Sequence, residues 1–456
     1  MAGLENVDQE LRVAIIGAGY AGMAAAVELA EKQIPLTLFE ASRQLGGRAR
    51  AVETHGMRLD NGQHILLGAY RETLRLMRLV GADPERTLRR LPLTLAYPGE
   101  LHLAAARLPA PLHLLVALLS ARGLDWPDKW AAIRFIQTMK RTAFKLADNG
   151  GIATVNELLE THRQSRRLRD YLWQPLCIAA LNTLPEAASA QVFMNVLRDS
   201  LAAERSASDL LLPRVDLASL FPDHAAVYVE THGGEIRRGT AIRQLGLANN
   251  AFILSDGNGD FSQYSHVILA VAPQHLTALT ENLPQLDELR QTIAAVTYQP
   301  IVTCYLAYPP QVRLPQAMLG QAHGLLQWLF DRGQLTGQAG LLAAVISAQG
   351  PHLELSGEAL AGRIHAEIAS LVADLPAPLW SQVITEKRAT FACTAKLKRP
   401  ALSTALPGLL LAGDYVAGDY PGTLEAAVRS GVAAAASIIH QAAAGQAQDP
   451  SAPPRQ

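Results

Sequence analysis

The chain has 456 residues, of which 49% are hydrophobic and 18% are charged, and its formal net charge is −1. This length exceeds what one hydrophobic core usually supports, so we expect two intertwined domains. The nearly balanced charge argues against a nucleic-acid partner. The three cysteines are far apart in sequence, which excludes a disulfide framework and a cysteine metal site and is typical of a reducing cytosol.

The first fifty residues carry the motif of a dinucleotide-binding fold. Residues 12–16 have the apolar, β-branched content of a buried parallel strand, and a helix-forming stretch follows. Between them, Gly17 permits a tight turn and Gly19 lets a pyrophosphate lie against the backbone. Gly22 would allow the helix to pack closely on the sheet. The motif therefore predicts a Rossmann-type α/β unit.

The second predicted strand, residues 36–40, ends in an acidic residue. Glu40 would accept hydrogen bonds from the adenosine ribose, and its charge would repel a 2′-phosphate. The intervening helix begins at Tyr20 and Ala21, where backbone N–H groups would face the phosphates of the ligand. These features leave NAD and FAD as the candidate dinucleotides.

A second glycine motif follows Glu40 by six residues. Gly46-Gly47-Arg48 resembles the second glycine motif of the flavin amine oxidase and phytoene desaturase superfamily. In that superfamily the backbone runs past the flavin and an arginine meets the phosphates. A guanidinium suits this role because it is permanently charged and binds phosphate in a bidentate manner. The resemblance implies that the cofactor is FAD.

Residues 408–436 resemble the C-terminal flavin motif of the same superfamily. An apolar strand leads into Gly413 and Asp414, and a helix begins near Thr423 and Leu424. The resemblance implies that Asp414 bonds the ribityl or pyrophosphate region of FAD. It also implies that the helix N-terminus faces the flavin ring, where the helix dipole favours the charge of the reduced flavin.

The predicted fold is α/β with two domains, a Rossmann-type FAD-binding domain interleaved with a substrate domain built from a mixed sheet and helices. By the same resemblance, residues 232–273 return the chain to the cofactor domain, and the backbone of Ile242 meets the adenine. The expected boundaries are discontinuous. They are residues 1–70, 215–275 and 400–441 for the FAD-binding domain, residues 71–214 and 276–399 for the substrate and membrane-facing domain, and a disordered tail at 442–456.

Residues 108–121 are strongly apolar, and the next two dozen positions mix tryptophans with basic residues. No run approaches the roughly 20 apolar residues that a membrane-spanning helix needs. The pattern suits insertion into one leaflet of a membrane, and it suits a buried helical hairpin equally well. The N-terminus is polar and lacks a signal peptide, so we expect a cytoplasmic protein at the periphery of the inner membrane. The basic residues that would lie along one flank of the second helix are Lys129, Arg134, Lys140, Arg141 and Lys145.

Four further stretches resemble the squalene-associated FAD-dependent enzymes, the hydroxysqualene dehydroxylases of hopanoid biosynthesis. They are residues 60–64, 173–183, 327–332 and 386–394. The resemblance covers the chain apart from both tails. It implies reductive conversion of hydroxysqualene, a long-chain isoprenoid alcohol, to squalene by hydride transfer to an allylic cation. The implied partners are this substrate, membrane lipid and neighbouring enzymes of the pathway.

Such a reaction needs an acid that protonates the hydroxyl group. His64 is the first candidate because imidazole titrates near neutral pH, and a purely structural role is its alternative. Asp60 belongs to the same loop. Asp331 is the other candidate, although the adjacent Arg332 would oppose a raised carboxyl pKa. Arg388 suits a flavin contact or a core salt bridge. The residues expected to line the substrate tunnel are Trp173, Leu176, Cys177 and Asn182.

Three other functions share this fold. A polyene desaturase, the nearest alternative, would run the flavin oxidatively on a related substrate. An amine oxidase is disfavoured, because Thr423 stands where that group has an aromatic residue, two positions before the helix glutamate Glu425. A non-catalytic isoprenoid-binding escort is disfavoured by the intact glycine motif and by the presence of Glu40 and Asp414.

Overall fold

The computed structural model describes residues 11–146, 151–257, 259 and 261–447. Its strands, in chain order, are β1 (Val13–Ile16), β2 (Leu36–Glu40), β3 (Ala51–Thr54), β4 (Met57–Asp60), β5 (Leu66–Leu67), β6 (Leu88–Leu91), β7 (Thr94–Tyr97), β8 (Leu101–Ala104), β9 (Leu210–Pro213), β10 (Glu235–Arg238), β11 (Gln244–Ala248), β12 (Ala251–Ser255), β13 (Phe261–Tyr264), β14 (His266–Leu269), β15 (Tyr298–Ala307), β16 (Met318–Gly320), β17 (Trp328–Asp331), β18 (Leu341–Ser347), β19 (Trp380–Phe391) and β20 (Leu409–Leu411).

The helices are α1 (Tyr20–Glu31), α2 (Arg71–Leu79), α3 (Pro84–Thr87), α4 (Leu112–Ser120), α5 (Trp126–Arg141), α6 (Val155–Thr161), α7 (Arg166–Leu168), α8 (Gln174–Leu181), α9 (Ala190–Leu197), α10 (Leu217–Leu220), α11 (Pro222–Thr231), α12 (Pro273–Leu279), α13 (Asp287–Ala294), α14 (Arg332–Thr336), α15 (Gly357–Ala369) and α16 (Leu424–Ala447). Two π-helical turns, Arg169–Trp173 and Arg198–Ala202, precede α8 and follow α9.

A parallel sheet forms the centre of the unit that contains the first glycine motif. Its strand order is β10-β2-β1-β14-β20, and Val13 of β1 lies opposite Leu36 of β2 and His266 of β14. Strand β1 is buried on both faces, which explains its continuous apolar sequence. Val13 and Ile15 pack with α1, α11 and α16, whereas Ala14 and Ile16 face the core shared with the small antiparallel sheet β11-β12-β13.

A second large sheet has the order β16-β17-β18-β15-β19, and its strands pair antiparallel. Strand β15 lies between β18 and β19 and is mostly buried, and α15 packs against it through the core that contains Ile364 and Ile368. The two-domain α/β class predicted from the sequence is confirmed. The strands of the parallel sheet fall within the predicted FAD-binding segments and those of the antiparallel sheet within residues 276–399. The domain boundaries themselves stay a prediction.

The C-terminal helix is longer than the sequence indicated. Helix α16 continues to Ala447, so the prediction of a disordered tail from residue 442 is wrong for residues 442–447. Alanine has the highest helix propensity, and four of the residues 442–447 are alanine, so the single Gly445 does not end the helix before the first following proline, Pro450. Residues 448–456 lie outside the described residues.

Candidate active site

A cavity of about 810 Å³ is lined by residues from both large sheets. One end, which we call the cofactor end, lies where β1 and β20 finish and α1 and α16 begin. In open α/β sheets, ligands bind in the crevice at the carboxyl ends of the strands, as here. Of the residues predicted to bind the cofactor, those that line this cavity are Gly17, Gly19, Tyr20, Ala21, Glu40, Gly46, Gly47, Arg48, Ile242, Gly413, Asp414, Thr423 and Leu424.

The glycines of the first motif have distinct surroundings. Gly19 lines the cavity, and a Cβ placed on it would meet nothing within 4 Å, so its missing side chain leaves open space there. Gly22 lies outside the cavity, and a Cβ on it would lie 1.9 Å from the carbonyl oxygen of Gly17. No side chain caps the N-terminus of α1. The start of this helix lines the cavity at Tyr20 and Ala21, so its first backbone N–H groups are available to an anion there.

Glu40 is fixed at the end of β2 by backbone donors. Its Oε2 accepts from the N–H of Ala18 at 2.7 Å, and its Oε1 accepts from the N–H of Ser42 at 2.8 Å. The second glycine motif lies alongside, because the N–H of Gly46 donates to the carbonyl oxygen of Ala18 at 2.9 Å. Each carboxylate oxygen retains a lone pair that a ribose hydroxyl could use.

Arg48 and Asp414, which come from opposite ends of the chain, form an ion pair with Nη2 and Oδ1 2.5 Å apart. The Nη1 of Arg48 also donates to the carbonyl oxygen of Ala389 on β19, at 2.8 Å. Burial lowers the pKa of Arg48, but the charge of Asp414 and the hydrogen bond to it outweigh this effect and raise the pKa overall. The pair joins the two halves of the cofactor end.

Three buried polar atoms around the cavity lack a partner within the described residues. They are Oδ1 of Asn61, Oε1 of Gln274 and the hydroxyl of Tyr415. Unpartnered buried polar groups are rare and point to an absent ligand or water. An uncapped helix N-terminus, a carboxylate, a guanidinium and these atoms provide the donors and acceptors that the phosphates, ribose and ring system of FAD need. The residues present therefore fit FAD.

The stretches 173–183 and 386–394 pack against each other beside the cofactor end. Asn182 ends α8 with a left-handed backbone conformation (φ 46°). Its Nδ2 donates to Thr390 Oγ1 at 3.0 Å and to the carbonyl oxygen of Pro300 at 3.3 Å, where β15 shifts register, and its Oδ1 accepts from the N–H of Ala348. Thr183 accepts from the N–H of Cys393 at 2.9 Å. Asn182 therefore lines the cavity with its own hydrogen bonds already satisfied.

Of the three residues in and just before α8 that were predicted to line the tunnel, only one lines the cavity. Leu176 lines it, as do Ala179 and Ala180 on the same helix face. Trp173 and Cys177 point the other way, and their prediction as tunnel wall is wrong. Trp173 donates to Gln164 at 2.8 Å and packs on the ring of Phe135, and the Cys177 thiol is completely buried, which raises its pKa. The two are four residues apart and therefore share one face of the helical segment.

His64 lines the cavity, and its Nδ1 lies 2.8 Å from the carbonyl oxygen of Gly62. Burial lowers the pKa of His64, the hydrogen bond to Gly62 opposes this, and the charge of Arg48 lowers the pKa further. The imidazole is therefore neutral at neutral pH, with its Nδ1 proton donated to the carbonyl. Its role as an acid remains a prediction.

Asp60 and Asp331 do not line the cavity, which contradicts their prediction as acids. The Oδ1 of Asp60 accepts from the N–H of Leu217 at 2.9 Å, and burial raises the pKa of this carboxyl to about 6, although Arg332 lowers it. Asp331 caps α14 by accepting from the N–H of Gln334 and also accepts from the N–H of Leu314. Each carboxylate thus holds a backbone N–H from another segment of the chain, that of Leu217 for Asp60 and that of Leu314 for Asp331.

Arg332 is buried behind the loop that carries His64. Its Nη1 lies 3.7 Å from Asp60 Oδ2 and donates to Gln63 Oε1 at 2.9 Å. Gln63 in turn lines the cavity. Asp60 and Arg332 thus support the loop from outside. Arg388 is exposed and stacks on the ring of Tyr298 rather than lining the cavity.

The other end of the cavity, which we call the apolar arm, corresponds to the expected substrate tunnel, but of its apolar lining residues only Leu176 was predicted from the sequence. The sequence contained two signals for the lining of the arm. They are the helical spacing of Phe193, Val196 and Leu197 and the alternation of Trp328 and Phe330. Tyr70, Tyr420 and Asp199 stand where the arm meets the cofactor end. In the part of the chain that the structure describes, no three His, Cys, Asp or Glu side chains form a group that could hold a metal ion. The apolar side chains of the arm are Leu93, Leu95, Leu176, Phe193, Val196, Leu197, Leu201, Leu210, Met318, Trp328, Phe330 and Val345.

Residues 20–439 match the family model described as flavin containing amine oxidoreductase. A hydroxysqualene dehydroxylase of Rhodopseudomonas palustris is 30% identical over 95% of this chain and 99% of its own length. A zeta-carotene desaturase of Synechocystis is 25% identical over 94% of this chain and 97% of its own. Among solved structures, the cyclohexylamine oxidase of Brevibacterium oxydans superposes with a TM-score of 0.66 and 16% identity, covering 95% of this chain and all of that chain.

Substituting Gly19→Ala tests the cofactor end. The new methyl group meets no protein atom, so we expect folding to be unchanged, but it occupies the space in front of the α1 N-terminus and weakens FAD binding at least tenfold. Flavin content and the dissociation constant from fluorescence quenching measure this. Gly418→Ala is the matched control, because its Cβ also meets nothing within 4 Å but lies outside the cavity. Equal FAD affinity of the two variants would contradict the assignment.

The buried Asp60 carboxyl predicts a pH dependence of stability. Because its folded pKa of about 6 lies above its ordinary value of 3.8, folding takes up a proton, and the free energy of unfolding falls as pH rises from about 4 through 6. The total loss is up to about 3 kcal/mol, at 1.36 kcal/mol for each unit of pKa shift. Urea unfolding between pH 4 and 7 measures it. Asp60→Asn should flatten the profile, and an unchanged slope would refute the raised pKa.

Proposed function

The chain belongs to the family of flavin-containing amine oxidoreductases. Within that family, we propose that it uses FAD to remove the hydroxyl group of hydroxysqualene reductively and so form squalene. The chain is an FAD-dependent oxidoreductase. The observation that carries the specific reaction is the end-to-end similarity to a relative named hydroxysqualene dehydroxylase. The apolar arm supports it, since a C30 isoprenoid needs a long, dry binding site.

The two ends of the cavity have different roles in the proposed reaction. FAD, when bound in its reduced form, supplies a hydride. The apolar arm holds the isoprenoid chain and excludes water from the reacting carbon. His64, which is neutral at rest, first takes up a proton at Nε2 and then delivers it to the hydroxyl oxygen, so that the oxygen leaves as water. Burial lowers the pKa of His64, and an imidazolium formed there therefore releases its proton readily.

Anaerobic single turnover tests the proposal. The reduced holoenzyme mixed with hydroxysqualene should yield one squalene for each flavin reoxidised, followed by absorbance and by chromatography of the lipid extract. His64→Gln should retain FAD and slow the reaction about 10²-fold, because it cannot deliver the proton. A polyene desaturase is the second candidate, favoured by the similarity to zeta-carotene desaturase. It predicts instead that oxidised flavin is reduced by a polyene and that hydroxysqualene is left unchanged.

The helices α4 and α5 supply a surface for contact with membrane lipid. Leu112, Leu115 and Val116 on α4 are 49%, 37% and 37% exposed, and Trp126 and Trp130 on α5 are 60% and 55% exposed. Large apolar side chains grouped in this way are unusual on a protein that meets only water. This exposure disfavours the fully buried helical hairpin. Within the described residues, no helix is long and apolar enough to cross a bilayer.

Fewer basic residues are exposed on the flank of α5 than the sequence predicted. Lys129 is buried, and its Nζ donates to the carbonyl oxygen of Leu119 near the end of α4 at 2.8 Å, which fixes the angle between the two helices. The prediction that it belongs to the exposed flank is therefore wrong. Arg134, Lys140, Arg141 and Lys145 are exposed and can meet anionic headgroups.

The opposite side of α4 touches the cavity wall. His113 is completely buried on α4, and its Nε2 lies 3.2 Å from the hydroxyl of Ser208, which lines the cavity. The proposed lipid surface and the cavity are therefore separated by a single helix. We propose that this surface rests on an anionic bilayer, from which a water-insoluble substrate would reach the arm.

Vesicle binding tests the lipid surface. The double substitution Leu112→Glu with Trp126→Glu should weaken cosedimentation with vesicles containing phosphatidylglycerol at least tenfold, because it places charge where apolar side chains contact lipid. Phe261→Glu is the matched control, since Phe261 is 69% exposed but lies on β13 of the cofactor domain. Equal binding by the wild-type protein, the double variant and the Phe261→Glu control, or no binding by any of them, would refute the proposed lipid surface.

A further inference from the structure

Asp199 is an ionised carboxylate in the wall of the cavity where the apolar arm meets the cofactor end. It lies in the π-helical turn Arg198–Ala202, which continues α9. Phe193, Val196 and Leu197 of α9 also line the arm, so Asp199 interrupts an otherwise apolar wall. A π-helical turn inside a helix costs stability and is common at functional sites.

The charge of Asp199 is held by specific donors. The Nε of Arg198 donates to its Oδ1 at 2.6 Å, and the Nη2 donates to its Oδ2 at 3.2 Å. Burial alone would raise the pKa of Asp199, but the hydrogen bonds from Arg198 and from the hydroxyl of Tyr420, with the charge of Arg429, leave the pKa below its ordinary range. Asp199 is therefore an anion at neutral pH and no source of protons.

Tyr420 ties this carboxylate to the segment that begins α16. Its ring lies under the guanidinium of Arg429, 4.3 Å from ring centroid to Cζ, and Arg429 donates to Glu425 at 2.7 Å. Tyr420 lines the cavity, as do the next four residues, 421–424. The side chain of Tyr420 therefore connects Asp199 directly to the loop that is expected to face the flavin.

The carboxylate of Asp199 is the one charged group of its cluster that lines the cavity. The cluster as a whole is neutral, because the carboxylates of Asp199, Asp419 and Glu425 are balanced by the guanidiniums of Arg198, Arg399 and Arg429, so it presents a charge to the cavity only through Asp199. An apolar wall lowers the local dielectric constant and lengthens the reach of that charge. Neutral isoprenoid alcohols gain nothing from it, but a positively charged carbon does.

We infer that Asp199 is a catalytic residue that stabilises positive charge on the substrate carbon, and this inference rests on the proposed dehydroxylation. In that reaction the C–O bond breaks and its electron pair leaves with the protonated oxygen as water. The carbon is left as an allylic cation until it accepts the hydride. Asp199 forms no bond in these steps, and it lowers the energy of the cation relative to the neutral alcohol, which is the requirement for catalysis.

Binding of a charged lipid tests the inference without turnover. Farnesyl dimethylamine, protonated at pH 7, mimics the cation, and the hydrocarbon in which CH replaces its protonated nitrogen is the uncharged reference. The holoenzyme should prefer the amine at least tenfold in dissociation constant, measured by calorimetry. Asp199→Asn should abolish this preference, and Asp199→Glu should retain it.

Asp419→Asn is the matched control. Asp419 pairs with the same Arg198 at 3.3 Å but is exposed and does not line the cavity, so its loss should leave the preference intact. In turnover, Asp199→Asn should lower kcat at least 100-fold with little change in KM. A preference that survives in a folded, FAD-loaded Asp199→Asn protein overturns the inference alone. An Asp199-dependent preference in a protein that leaves hydroxysqualene unchanged overturns the proposed function alone.

Discussion

Contact between the backbones of α1 and α16 sets the geometry of the cofactor end. A Cβ on Gly431 would lie 2.0 Å from the carbonyl oxygen of Ala21, so α16 packs directly on the first turn of α1 and no larger side chain fits between them. This contact brings segments from opposite ends of the chain together. The N-termini of both helices open on one cavity as a result, and Asp414 comes within 2.5 Å of Arg48.

A buried carboxylate then fixes where α16 begins. Glu425 is fully buried, and its oxygens accept from the N–H groups of Glu72 and Thr73, from the hydroxyl of Thr73 and from Arg429. A buried charge is tolerated only when donors of this kind satisfy it. It also lies at the N-terminus of α2, where the helix dipole favours an anion. Thr423 and the cofactor end therefore cannot shift along α16 without exposing an unsatisfied charge.

Sequence patterns predicted the parts of the site that depend on local structure. Gly19 faces open space and Gly22 faces a backbone carbonyl, as their positions in a strand–turn–helix motif require. The same reasoning failed for Trp173, because it lies in the π-helical turn Arg169–Trp173, where the side-chain spacing departs from the regular helical period that tells core from cavity. Asp331 could not be recognised as a cap that also accepts from Leu314, because that donor is brought to it by tertiary folding.

Asp199 was missed for a related reason. Its neighbours in sequence, Arg198 and Ser200, read as a polar end of a helix, and a polar helix end is usually solvated. The π-helical turn and the packing of Tyr420 turn that polar end inward, onto the same wall as Leu197. Placing a charge there costs desolvation, and Arg198 and Arg429 offset this cost only while Tyr420 holds the geometry. A structure that needed only to bind a hydrocarbon would be more stable with an apolar residue at this position, so the retained charge argues for a substrate that becomes charged during the reaction.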